Sequence, residues 1–225
     1  MSLSKQIWMA AGVALLLAFA APVGAMTSAS GADRDLAGES WVQDLANQAT
    51  AMLGNPDTTE EVVAAEFQDL LVEHAALRNF GRSTLGAYTR VISDEDFDRF
   101  VALLEQYGTS VVRGRFSEYS GQTIVVTGSS VDTRENFAYV NVNSDVLDQF
   151  GDVQASVRWL LIRRGQDYRV YDLTVETIDE TATFSLLQTQ REEFNSVLSG
   201  NGGRIEALLD YLRQRIREAG LVPAN

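Results

Sequence analysis

Cysteine is absent from the chain, histidine occurs once and lysine once. The first absence excludes disulfides and thiolate-based metal sites, so stability must come from packing alone. The second leaves His74 with no Cys partner and no second His for a metal, so it reads as a helix-surface or core-edge residue. The scarcity of cations leaves a net charge of −13. Such a chain cannot neutralise a nucleic-acid backbone, and it should not adhere to anionic membranes. Motifs that cradle phosphates are missing as well. There is no Walker A and no G-x-G-x-x-G, and Gly200-Asn201-Gly202-Gly203 reads as a break between helices. Gly81-Arg82-Ser83-Thr84-Leu85-Gly86 has the wrong spacing for a hydrolase G-x-S-x-G and no strand before it.

One long apolar run is present, and it stands near the N-terminus. Lys5 precedes IWMAAGVALLLAFAA, which ends at Pro22-Val23-Gly24-Ala25. A basic residue, a short apolar segment and small residues are the parts of a cleaved export leader. The run is short for a span, which needs about 20 residues. Cleavage is expected near Ala25, with Ala29 as a later alternative. No cysteine follows to carry an acyl anchor. Lys5 is the only charge in the leader, so its loss takes the net charge from −13 to −14. The expected route is therefore export from the cytoplasm, with about 200 residues left, enough for one domain with a sizeable core.

Residues 26–38 are small and polar and read as a disordered lead-in. Helical spacing then predicts helices over about 39–53, 58–76, 80–90 and 93–116, with an Asp57–Glu60 capping box opening the second. The acidic start of the fourth, Asp94, Glu95, Asp96 and Asp98, suits the positive end of a helix dipole better than a metal. From Gly121 the period changes to two, and strands are expected over 122–128, 135–142, 153–163 and 167–176. Helices over about 182–199 and from Ile205 onward close a single domain at 39–219, with 220–225 as a tail. Helices, then an antiparallel meander of about four strands, then helices define an α+β fold.

The hairpin WLLIRRGQDYRVYDLTVE (159–176) departs from simple alternation. A two-residue turn at Gly165-Gln166 sets Leu161 opposite Val170 and Leu160 opposite Tyr171. Trp159, Leu161 and Val170 then share one face, while Leu160, Ile162, Tyr171 and Leu173 share the other. An antiparallel sheet with one wet face should not be apolar on both. A sheet between two helical layers would read this way, and so would a sheet walling an apolar cavity. Asp172 is the one residue here that an acid–base enzyme could use; a structural carboxylate is the plainer reading.

Four stretches together resemble the MlaC-type (toluene-tolerance) periplasmic phospholipid-binding proteins. They are RSTLGAYTRVISDEDFDRFVALLEQY, VRGRFSEYSGQTIVV, VRWLLIRRGQDYRVYDLTVE and SLLQTQREEFNSVLSGNGGRIEALLDYLRQRI, which follow one another in the family's order and spacing over most of 58–219. Two departures stand out. Thr177 occupies the place of the family's Gly after the last strand, with extra residues over 177–184. The family's basic surface residues are also sparse here. The resemblance implies an NTF2-like curved sheet enclosing an apolar pocket with the flanking helices. It also implies a monomeric carrier, without enzyme activity, cofactor or metal. Such a carrier would pass phospholipid between an outer-membrane lipoprotein complex and an inner-membrane ABC transporter with an MCE-domain subunit, maintaining outer-membrane asymmetry.

A diacyl lipid carries roughly 30 methylenes at about 0.8 kcal/mol each, so a carrier must hide on the order of 24 kcal/mol of apolar surface. The expected lining is Leu85, Tyr88, Val112 and Phe116 from helices, and Val126 and Val140 from the first strands. Trp159, Leu161, Val170, Tyr171 and Leu173 would join from the hairpin, with Phe194 and Leu198 below. Both sheet faces are represented because the sequence does not choose between them. Another lipid such as a hopanoid, a small enzyme using Asp172, and a solid interaction module are the alternatives.

Overall fold

A computed structural model describes residues 33–55, 57–113, 119–177 and 183–224. The expected leader and cleavage site, most of the expected lead-in, Phe116 and the centre of the 177–184 segment lie outside the described residues. The described residues fall into two compact units of interleaved sequence, within 1–56 with 118–185 and within 57–117 with 186–225.

The first is a sheet unit. Helix α1 (Leu36–Leu53) precedes strands β1 (Thr123–Thr133), β2 (Ala138–Leu147), β3 (Val153–Arg164), β4 (Asp167–Thr177) and β5 (Thr183–Ser185). The strands lie in chain order and every pairing is antiparallel. The meander is as expected, with five strands in place of about four. The short β5 falls where no sequence period marks it.

Helix α1 starts inside the stretch expected to be a polar lead-in, because Asp35 caps it. The buried Asp35 carboxylate accepts from the Gly38 amide and also from the Tyr168 hydroxyl and the Arg163 guanidinium. An N-cap thus doubles as the tether of the helix to the β3–β4 hairpin. At the other end of the contact, the Gln43 side-chain amide donates to the Ile124 carbonyl and accepts from the Val126 amide. It occupies bonding groups on the outer edge of β1 that would otherwise be open to another chain.

The second is a helical unit. It holds α2 (Glu60–His74), α3 (Leu77–Leu85), a 3₁₀ turn (Gly86–Arg90), α4 (Asp94–Arg113), α5 (Leu186–Gly200) and α6 (Ile205–Glu218). The cap of α2 is Thr59, whose hydroxyl accepts from the Val62 amide. The Asp57–Glu60 capping box is therefore displaced by two residues. Ser93 caps α4 through its side chain. The Ser93 hydroxyl accepts from the Asp96 amide and donates to the Asp96 carboxylate. The helix expected over 80–90 instead starts at Leu77 and tightens to 3₁₀ at Gly86. The core is closed: Phe100, Leu103, Phe194, Leu198, Leu208, Leu209, Leu212 and Ile216 are all enclosed, with Phe100 edge-on to Phe194 at 5.7 Å.

Candidate functional site

The hairpin turn forms as the sequence predicts. Arg164 pairs with Asp167, and Gly165 takes φ +61°, which a first turn position of this length requires and a side chain would resist. Leu161 faces Val170 as expected. One step later the ladder breaks register: Leu160 pairs with Asp172, and Trp159 with Leu173. Tyr171 is the extra residue of a β-bulge.

That single insertion corrects the facing. Side chains beyond a bulge exchange faces, because strand alternation has period two. Leu173 therefore joins Trp159, Leu161 and Val170, the face against which α1 packs. This face runs through the sheet with Ser129 and Ser144 as polar interruptions: Ile124 and Val126 from β1, Val140, Val142 and Val146 from β2, and Ala155, Val157, Trp159 and Leu161 from β3. Val170, Leu173 and Val175 complete it from β4. The opposite face is apolar at the exposed Val125 of β1 and near the hairpin. Leu160, Ile162 and Tyr171 lie there with Tyr139, whose ring stacks on Tyr171 at 6.2 Å. Farther along it presents Asn141, Asn143, Asp145, Arg158, Thr174 and Glu176, set by the pairing of Asn141 with Leu160 and of Arg158 with Thr174. The double-sided hairpin is thus one continuous apolar face plus a small aromatic cluster.

The continuous face is not uniformly covered. Val140, Val142, Val146 and Leu161 are wholly enclosed, whereas Trp41, Leu45, Val126, Val131, Val170 and Leu173 around them are only partly buried. Trp159 keeps 9% of its surface. Its indole N–H donates to the Ser144 hydroxyl at 2.9 Å, so the ring is held in one orientation while its polar atom is satisfied.

Among the expected lining residues, Leu85, Val140, Leu161, Phe194 and Leu198 have no open surface and are packed by protein. Tyr88, Val112, Val126, Trp159, Val170, Tyr171 and Leu173 keep some. The sheet unit brings Val126, Val140, Trp159, Leu161, Val170 and Leu173 onto one face and leaves Tyr171 on the other. Leu85, Tyr88, Val112, Phe194 and Leu198 belong to the helical unit. Sequence reasoning missed Trp41, Leu45 and Val131 as neighbours of this face. The helical repeat of Trp41 and Leu45 was visible, but not the surface it meets.

Asp172 is buried, and its two carboxylate oxygens accept from the Leu173 amide and the Ser185 hydroxyl. It ties the bulge to β5. The acidic start of α4 is also engaged: Asp96 meets Arg99 and Asp98 meets Arg78. In the helical unit, burial holds the Tyr107 hydroxyl far above its ordinary range, with Glu193 adding to the effect. Burial raises Tyr211 likewise, helped by its hydrogen bond to Glu193. Both hydroxyls stay protonated at any physiological pH.

Fold and face together define a small α+β protein whose distinguishing surface is a largely apolar, incompletely covered sheet face. Comparison with protein families makes this specific. The chain belongs to the MlaC protein family, matching it over residues 43–214. Its fold is also similar to the 1.53 Å structure of the phospholipid-binding protein from Ralstonia solanacearum in complex with a phospholipid. That similarity has a TM-score of 0.63 at 15% identity, covering 81% of this chain and 98% of that one. A comparison with curated protein sequences gives no match.

Proposed function

We propose that the protein is a periplasmic phospholipid carrier whose acyl-chain wall is the α1-facing side of the sheet. The observation that carries this is the pair Val170 and Leu173 beside the buried Trp159. The pair is continuous with the core but only partly covered, and Leu173 is aligned with it by the bulge at Tyr171. Apolar surface left half-covered costs about 25 cal/mol per Å², so a chain that keeps it gains by covering it with a ligand. Family membership and the phospholipid held by the Ralstonia solanacearum protein support a lipid as that ligand. No helix among the described residues is long and apolar enough to cross a membrane, and the −14 charge disfavours resting on an anionic surface. The protein takes lipid from one partner and yields it to the other, an outer-membrane lipoprotein complex and an MCE-domain ABC transporter, without covalent chemistry.

The test is copurification. Protein lacking residues 1–25, purified without detergent, should show bound phospholipid by native mass spectrometry and should take up labelled phospholipid from neutral vesicles. Empty protein that takes up none overturns the reading. Identification of a bound hopanoid would keep the carrier and change its cargo.

A further inference from the structure

The β2–β3 turn displays a phenylalanine that no part of the described chain covers. Phe150 is 81% exposed, at the tip of a five-residue loop closed by the Leu147–Val153 pair. A single exposed apolar side chain is ordinary. Phe150 differs in how it is held. The Asp148 carboxylate accepts from the backbone amides of Phe150 (2.8 Å) and Asp152 (3.0 Å), and its other oxygen accepts from the buried Gln154 side chain (3.0 Å). The Asp148 amide donates to the Asp152 carbonyl, and its carbonyl accepts from the Gly151 amide. Gly151 sits at φ +90°, a conformation other residues resist, with nothing within 4 Å of where a side chain would stand. Five hydrogen bonds therefore pin a turn whose tip is aromatic, although nothing in the turn's geometry calls for an aromatic there.

An aromatic on a pinned backbone has only two side-chain torsions to fix when it enters a pocket, and aromatic anchors are frequent in interface hot spots. The surroundings select the partner. Residues 144–154 contain Asp145, Asp148 and Asp152 and no Arg or Lys. An acidic collar repels anionic bilayer surfaces and attracts a basic rim.

We propose that Phe150 is the docking anchor of this carrier, inserting into an apolar socket rimmed by Lys or Arg on a protein partner. The proposal rests on the carrier reading for its candidate partners, the periplasmic part of the MCE-domain subunit and the outer-membrane lipoprotein complex. Each, purified, is tested against the wild-type protein and against Phe150→Ala, Phe150→Trp and Asp152→Arg by biolayer interferometry across a salt series. At least one partner should bind wild type. Phe150→Ala should weaken that binding about tenfold or more, Phe150→Trp should largely retain it, and Asp152→Arg should weaken it and flatten its salt dependence. Native mass spectrometry of the same samples reports bound lipid separately. Unchanged lipid in Phe150→Ala with lost docking supports the proposal, and lipid missing from every sample counts against the carrier reading instead. Binding of Phe150→Ala within twofold of wild type overturns the proposal. So does no binding to either partner, or Phe150-dependent sedimentation with neutral phosphatidylcholine vesicles.

Discussion

The helical unit and the sheet unit solve the same packing problem to different degrees. In the helical unit the large apolar side chains of α4, α5 and α6 interlock until none of Phe100, Phe194, Leu198, Leu209 or Leu212 meets open space. In the sheet unit a single helix, α1, meets the apolar face, and Trp41, Leu45, Val126, Val170 and Leu173 stay partly uncovered around the enclosed centre. A bundle can close on itself because its helices shift individually. A five-stranded sheet presents one broad face, and one 18-residue helix is narrower than that face. On the proposed carrier reading, the difference places ligand contact in the sheet unit, where apolar surface is left to cover.

Four measurements would break or sharpen that contrast. Phe194→Ala should cost about 3–5 kcal/mol in chemical denaturation, because it opens a cavity in a core with no slack. A loss under 1 kcal/mol would mean that the helical core is looser than it looks. Asp172→Asn should cost about 1–3 kcal/mol, since a buried acceptor loses charge beside the Leu173 amide and Ser185 hydroxyl. Phospholipid uptake should survive it; abolished uptake with intact folding would return Asp172 to a direct role. Leu173→Ser should behave in the opposite sense. Partial exposure limits its stability cost to about 1 kcal/mol, while copurified lipid falls severalfold by mass spectrometry. Unchanged lipid would move the acyl wall to the Leu160–Tyr171 side.

The smallest effect concerns acid. The hydrogen bond from Arg34 holds the Glu39 carboxyl below its ordinary range, with Ser129 adding and burial opposing. A depressed carboxyl stabilises the fold above its unfolded value of about 4.3 and stops doing so as pH falls through the folded value. Acid titration of stability should therefore be shallower in Glu39→Gln than in wild type below that pH. Superimposable curves would show that the pair contributes nothing.

Much of the architecture was legible locally. The change from a 3.6-residue to a 2-residue period near Gly121 separated helices from strands, and Gly165-Gln166 marked its turn. Helix starts were read less well. Asp35 looked like part of a polar lead-in because its partners, Arg163 and Tyr168, lie more than a hundred residues away. Asp57 reads as the cap because Asp is the stronger capping residue in isolation, yet Thr59 holds the position. Among the candidate lining residues, apolar character was evident but coverage was not. Val140 and Val126 read alike, yet one is enclosed and the other lies at the margin.

The hairpin 159–176 shows where local information ends. Its residues alone determined two strands, a two-residue turn and an excess of apolar side chains, since propensity and alternation act over a few positions. Which side Leu173 faces was decided by the bulge at Tyr171, next to which Asp172 accepts from Ser185 of β5. A one-residue offset inverts every side chain beyond it. Only the assembled sheet, through contacts that no short window contains, could select between the two faces.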